Sequence, residues 1–455
     1  MPENQVPHPL ESEVDDRSRA RAALRGGVLA YFVDQFDIYL PIVTLAPATA
    51  YFQSASLSAG TSATLSALVF ASTLIARPIG SAVFGHFADK LGRRRSTMVA
   101  VGGFGLTTLL IALLPGYHSI GMASVSLLIA LRFIDGFFLG GEYTTAVPLA
   151  MEWSPANRRG LTSGLITCTS PAANAAISAI TLILLTVLPS AGVNSAYVQW
   201  GWRIPFLVGV IMAGVLLNYY RRNVEESPSW QETRTVGGSP LAALLRGGHR
   251  RALLKVFVLM TGTWLATNMT TAVLPALLKS HVGVQSRTVT VIVMVAAATS
   301  AVSYPLLGAL SQRIGRRPFY IGCGIAVAVA SSIGFALEMN TSKDNIAGLV
   351  IFGIITYVIG VSMFGPVAAY LTERFPANIR ATGYGVSYSL AIVIPAFYTF
   401  YLSGLSHLLP VAYGPVALFA LAGVLVCVGG ALGPETRDID MRTGAQPAAS
   451  QPVHS

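Results

Sequence analysis

The stretch Gly85–Ser96 reads GHFADKLGRRRS, and its last eight residues hold one acid and four bases. Long apolar runs flank it on both sides, in a chain that is only 11% charged and 53% hydrophobic. A soluble chain of this length carries about a quarter charged residues. Here, apolar runs of about 20 residues recur with short polar breaks, each long enough to cross roughly 30 Å of hydrocarbon as a helix. The composition therefore excludes a soluble helical protein and predicts an all-α membrane protein.

Twelve spans are predicted, over residues 26–48, 62–86, 96–115, 121–148, 162–188, 203–220, 252–275, 287–308, 318–338, 346–370, 383–405 and 411–433. With that count, 24 of the 30 Lys and Arg residues fall on the side of the termini and four on the other, while Arg77 and Arg132 lie within spans. The bias places both termini in the cytoplasm of a cell-membrane protein and requires an even number of spans. The polar, basic segment 221–251 separates six spans from six. The predicted organisation is an N-tail (1–25), a first six-helix bundle (26–220), a linker (221–251), a second bundle (252–433) and a C-tail (434–455). No cleavable signal is evident, because the first apolar run is long and lacks a small-residue cleavage site. The net charge of +10 does not point to nucleic acid, since the bases are spread over membrane loops. Cys168, Cys323 and Cys427 lie inside apolar runs and read as buried small hydrophobes.

The opening stretch recurs. GHFADKLGRRR at 85–95 returns as GALSQRIGRRP at 308–318, and EWSPANRRG at 152–160 returns as ERFPANIRATG from Glu373. Two echoes at nearly one offset, each ending an even-numbered span, indicate a duplicated six-span unit with a site between the halves near the midplane. Gly85 and Gly92 permit a tight turn and close helix approach, and the bases hold the loop at the anionic leaflet. Asp89 can accept hydrogen bonds from an adjacent Arg or from a helix N-terminus. It is the candidate latch of the cytoplasmic side, with Arg93 either sharing that role or only fixing topology. Its counterpart, Gln312, is not acidic.

On these residues the chain resembles the major facilitator superfamily. ARPIGSAVFGHFADKLGRR, RFIDGFFLGGEYTTAVPLAMEWSPANRRG, WGWRIPFLVG, RRNVEESPSW and LTERFPANIRATGYGVSYSLA narrow the resemblance to its metabolite:proton symporter branch. The resemblance implies two pseudo-symmetric six-helix bundles working by alternating access, with no enzymatic activity. In the family pattern a Glu-x-x-Asp pair stands in span 1. VDQFDIYLP supplies Asp34 and Asp37 there, with Pro41 following.

Ionisable groups inside spans are costly and mark function. By helical rise, Asp34, Asp37, Arg77 and Arg132 converge on one layer, and Asp135 can pair with Arg132 on one helical face. The two aspartates are the candidate proton carriers, and their titrations interact. Arg77, with its permanent charge and planar fork, is the candidate ligand of a substrate anion, and Arg132 is the second, unless its pair with Asp135 is structural. Glu142 is expected near the cytoplasmic interface, forming an inner gate with Glu152 and Arg159, which Glu373 and Arg380 echo. Spans 7 to 12 show no ionisable residue near their centres, so Trp264, Asn268, Tyr384 and Tyr388 are candidates for shaping the pocket wall.

The expected function is proton-coupled import of a small anionic or zwitterionic metabolite, a carboxylate foremost, by a monomer whose partners are substrate, protons and lipid. A proton-driven exporter is the alternative, although span 5 reads TCTSPAANAA and lacks the glycines that flank the proline of drug antiporters. A proline/betaine-type osmolyte symporter is a third, although the C-tail carries no heptads. No metal spacing, nucleotide loop or Ser/His/Asp grouping is present, so neither metal nor cofactor is expected.

Overall fold

The computed structural model describes residues 9–441, apart from 55, 191 and 234–237. The ends of the predicted tails (1–8 and 442–455) and the middle of the linker lie outside the described residues. The described chain is helical, with no strand. Eleven helices are long and apolar enough to cross a membrane: α2 Ala59–Leu91, α3 Arg93–Ala112, α4 Ala123–Glu152, α5 Ala156–Val187, α6 Tyr197–Asn223, α7 Gly247–Ser280, α8 Ser286–Ile314, α9 Arg316–Met339, α10 Ile346–Glu373, α11 Ala377–Leu405 and α12 Gly414–Leu432. The first span, α1, runs from Pro9 through Thr44 and bends by 43° into Ala46–Phe52, which makes twelve. Helix therefore begins well inside the stretch read as a polar N-tail.

Local chemistry sets the ends. The Ser58 side chain accepts the Thr61 N–H and caps α2. Gly92 and Gly315 take φ values of 112° and 104°, a region costly for any other residue, and so turn α2 into α3 and α8 into α9 without a loop. The two turns are the two copies of the repeated motif.

α1 to α6 pack as one bundle, with α2 and α3 on α4, α3 on α6, and α1 against α4, α5 and α6. In the second bundle α12 packs on α7 and α9, and α10 on α8 and α9. The bundles meet where α2 lies on α11 and α5 lies on α8. Glycine permits both approaches: a Cβ on Gly160 of α5 would strike the Gly308 carbonyl of α8, and one on Gly85 of α2 would strike the Thr382 backbone of α11. Residues turned outward from both bundles are large and apolar, such as Leu106, Ile211, Val302 and Phe400. An all-round apolar exterior of this kind suits lipid. The membrane face that carries the repeated motif, the linker and both ends of the described chain is called the basic face below.

Candidate functional site

The charged layer forms as two clusters. Arg77 Nη2 of α2 donates to both carboxylate oxygens of Asp34 on α1, at 3.1 Å each, and Gln35 Nε2 adds a bond at 3.0 Å. One turn on, Asp37 accepts from Arg132 Nη1 of α4 at 3.1 Å and from Thr108 Oγ1 of α3 at 3.0 Å. The same Nη1 reaches Asp135 at 2.8 Å, and Thr107 donates to Asp135 at 3.3 Å. All five ionisable groups are buried. The two aspartates of α1 thus serve different arginines rather than sharing one. Arg132, Asp37 and Asp135 tie α1, α3 and α4 together inside the first bundle, while Asp34–Arg77 sits beside the second bundle.

Aromatic rings cover that second-bundle side. The Arg77 guanidinium lies 4.7 Å from the Tyr143 ring centroid, within cation–π range. Tyr143 shares a 2.7 Å hydrogen bond with Ser81 and stands 4.9 Å, ring to ring, from Tyr388 of α11. Tyr384 stacks on Tyr388, and the Tyr31 and Tyr388 hydroxyls share a hydrogen bond of 2.8 Å across the bundle interface. Trp264 Nε1 donates to the Tyr388 carbonyl at 3.1 Å, and Asn268 Nδ2 to the Pro395 carbonyl at 2.9 Å. α11 is interrupted between Leu390 and Tyr398, so those donors satisfy carbonyls that an unbroken helix would have used itself. Trp264 and Asn268 therefore brace the broken helix, and the Trp264 ring packs edge-on against Tyr388 at 5.2 Å, beside the tyrosine cluster. Tyr31 and Tyr143 were not singled out in the sequence, where single tyrosines in apolar runs carry no distinguishing signal.

Toward the basic face the bundles lock by crossed helix caps. Asp89 of α2 accepts the Ala381 and Thr382 backbone N–H groups at 3.1 and 2.9 Å and the Thr382 hydroxyl at 2.7 Å, capping the run of α11 that starts at Arg380. Gln312 of α8 accepts the Gly160 N–H of α5 at 3.1 Å. The second copy of the motif has lost the charge but kept the acceptor. Arg93 donates to the Ala377 carbonyl at 2.8 Å and lies 2.9 Å from Glu152. Arg380 reaches the same Glu152 oxygen at 2.6 Å. In the second half Arg316 binds Glu373 at 3.0 and 3.2 Å, repeating Arg93–Glu152. Arg159 instead donates to the Ile439 carbonyl at 2.6 Å, and Arg380 also donates to Met441 at 2.7 Å, so the segment after α12 straps the closed face. Ser163 bonds the Gly365 carbonyl between these caps and the tyrosines.

Glu142 departs from its expected place. It stands ten residues before Glu152 on one continuous helix, roughly 15 Å deeper. Its carboxyl is wholly buried and neither oxygen has a hydrogen-bond partner. It is not in the Glu152–Arg93–Arg380 network, because α4 continues past the predicted end at 148. Two acids absent from the expectation do join the motif turns. Glu226, after α6, accepts the Arg94 N–H at 3.0 Å, and Glu435, after α12, accepts those of Arg316 and Arg317 at 2.8 and 3.1 Å. Burial pushes the Glu226 carboxyl up from the ordinary range, opposed by the Arg93 charge and the backbone bonds. Trp230 Nε1 adds a bond to the Asp89 carbonyl at 3.0 Å. Their signal in sequence was an acid shortly after the last span of each half, in RRNVEESPSW and GPETRD.

These features define a polytopic membrane protein with a buried charged layer in its first bundle and an aromatic cluster where the two bundles meet. The Major Facilitator Superfamily profile matches residues 27–396 and, overlapping, 256–439. The chain belongs to that superfamily and is a multi-pass membrane transporter, not an enzyme. It is similar to the shikimate transporter of Escherichia coli K12, 30% identical over 429 residues covering 90% of this chain and 93% of that one. It is 32% identical to the alpha-ketoglutarate permease of the same organism over 398 residues, covering 87% and 89%. It is 25% identical to that organism's proline/betaine transporter over 456 residues, covering 96% and 87%. Among solved structures, the proton:xylose symporter XylE shares the fold at a TM-score of 0.74 and 19% identity, covering 92% of this chain and 97% of that one.

Proposed function

We propose that this transporter imports a small metabolite bearing a carboxylate, driven by protons, and that its basic face is cytoplasmic. The observation that carries the reading is the Arg77–Asp34 pair, buried at the bundle interface beneath Tyr143 and Tyr388. A buried pair whose acid is neutralised leaves an uncompensated guanidinium, which is costly. Protonation of Asp34 therefore frees Arg77 for one substrate carboxylate, and departure of that proton returns Asp34 to Arg77 and expels the substrate. Substrate and proton are coupled because the substrate carboxylate and the ionised Asp34 compete for one cation, and the proton removes Asp34 from that competition. Asp37, held by Arg132 and Thr108, fixes the α1 backbone that carries Asp34. The tyrosines supply apolar faces and hydroxyls to the remainder of the substrate.

Shikimate, alpha-ketoglutarate, proline and betaine all carry a carboxylate, which fits a guanidinium fork as the common anchor. Alternating access follows from the crossed caps: Asp89, Gln312 and Glu152 close the basic face here, and they must release for delivery on that side. The 24-to-4 distribution of Lys and Arg supports a cytoplasmic basic face. The monomer holds both halves of the site, so one chain is sufficient.

The test uses proteoliposomes loaded with a pH-sensitive dye and offered carboxylates singly. Wild type should take up its substrate down an imposed proton gradient and acidify the lumen when substrate is added without one. Asp34→Asn should retain substrate exchange yet lose gradient-driven accumulation. Unchanged uptake by Arg77→Ala, or substrate entry without lumen acidification, would remove the proposal.

A further inference from the structure

After Glu142, a second buried carboxyl with neither oxygen hydrogen-bonded lies far from this layer. Glu338 ends its helix one residue before Met339, near the membrane face opposite the basic one, and is 0% exposed. Neither of its oxygens has a hydrogen-bond partner. The carboxyl is seated over Gly353 of α10, where a Cβ would stand 3.0 Å from Oε1 and 2.9 Å from the Ile292 side chain of α8. One turn along the same seam, Gly334 makes equivalent room for Thr356, whose hydroxyl is also buried and unpartnered. Two glycines thus make a slot between α9 and α10 for a carboxyl and a hydroxyl that a Cβ at either position would crowd.

An isolated carboxylate in such a slot is far costlier than the neutral acid. The elements packed around this part of α9 offer it no counter-charge. Those are α7, α8, α10 and α12. Toward this face the first two carry Lys279 and Arg287, α10 offers Tyr357 and α12 no charged group, and the connecting segment bears Lys343 and Asp344. Lys279, Arg287, Lys343 and Asp344 are exposed, and none of these groups bonds the carboxyl.

We propose that Glu338 is a proton-binding site of the second bundle, separate from the Asp34–Arg77 layer. Its proton exchanges with the compartment opposite the basic face, which the helix end brings within one turn. The neutral form holds α9 against α10. Loss of the proton places a charge in the slot and loosens the seam, and with it α8, whose Ile292 closes the slot and whose other end forms the bundle interface. The ligand is the proton itself, and the device makes the second bundle sensitive to pH on that side.

Infrared difference spectroscopy of the protein in liposomes, wild type against Glu338→Gln, tests this. At neutral pH wild type should show one protonated-carboxyl C=O stretching band, shifted in D2O, that the variant lacks. As pH is raised from the acid side, the thermal unfolding midpoint of wild type should fall while that band persists and level off where the band fades, a fall that Glu338→Gln lacks. Loss of an ionised-carboxylate band instead, or parallel pH dependence of the two midpoints, overturns the proposal. Should Glu338→Gln fail to fold, Gly353→Ala keeps the acid and crowds it. The same band should then move in frequency, and an unmoved spectrum counts against the assignment.

Discussion

At the residue scale, the proposed cycle gives Arg77 and Asp34 opposite halves of one equilibrium, so their substitutions should differ in kind. Arg77→Ala leaves Asp34 buried without its cation, and breaking a buried pair this way costs about 3–5 kcal/mol. A lower melting temperature and no substrate exchange are expected, by scanning calorimetry and counterflow. Arg77→Lys keeps the charge but replaces the fork by a point donor. It should fold and bind, with apparent affinity weakened by about tenfold or more, roughly 1.4 kcal/mol. Equal affinity in the lysine variant would show that the planar fork is not what recognises substrate. Asp37 differs from Asp34 three residues earlier: its partners Arg132 and Thr108 are internal to the first bundle. Asp37→Asn should therefore depress melting temperature and transport together, whereas Asp34→Asn separates exchange from accumulation.

At the scale of elements, α5 and α8 approach where Gly160 and Gly308 face each other, and any side chain there meets a backbone carbonyl. Gly160→Leu should hold the basic face ajar. Spin labels at exposed positions 158 and 313 should report a longer mean distance in the variant, and an unchanged distance would mean the contact does not set closure. The helices themselves were readable in the sequence, because apolar length and the bases at span ends are one-dimensional signals. The repeated motif also announced the α2–α3 and α8–α9 turns, where Gly92 and Gly315 hold positive φ. Less was visible of anything set by the third dimension. α4 runs on through Pro148, so Glu142 lies deep rather than at the gate, since a proline in a packed membrane helix need not end it. The donation of Trp264 and Asn268 to α11 carbonyls was not legible, because the break in α11 that takes their donors has no local marker before Pro395. The split of four charges into two clusters depends on helix rotation, which spacing alone leaves open.

For the whole molecule, closure of the basic face rests on two caps related by the duplication: Asp89 holds the N-terminus of α11's inner run, and Gln312 holds that of α5. One is charged and the other neutral, so the face is not symmetric in strength. A charged acceptor at a helix N-terminus gains from the dipole as well as from the hydrogen bonds. Truncating a cap costs about 1–2 kcal/mol, and in a two-state equilibrium that is a factor of about 5–30. Asp89→Ala should thus shift the population toward the state open at the basic face by that factor, read from the same pair of spin labels. Asp89→Asn copies what Gln312 already does in the second half, and should shift it less. Arg93, across the α2–α3 turn, lies 3.4 Å from Asp89 and loses that ion pair in both variants while keeping Glu152 and the Ala377 carbonyl. If the alanine and asparagine variants matched wild type, closure would have to reside in Glu152 and its two arginines. Glu152→Gln would then produce the larger opening, because it leaves two buried guanidinium groups, from opposite bundles, facing each other without their shared anion.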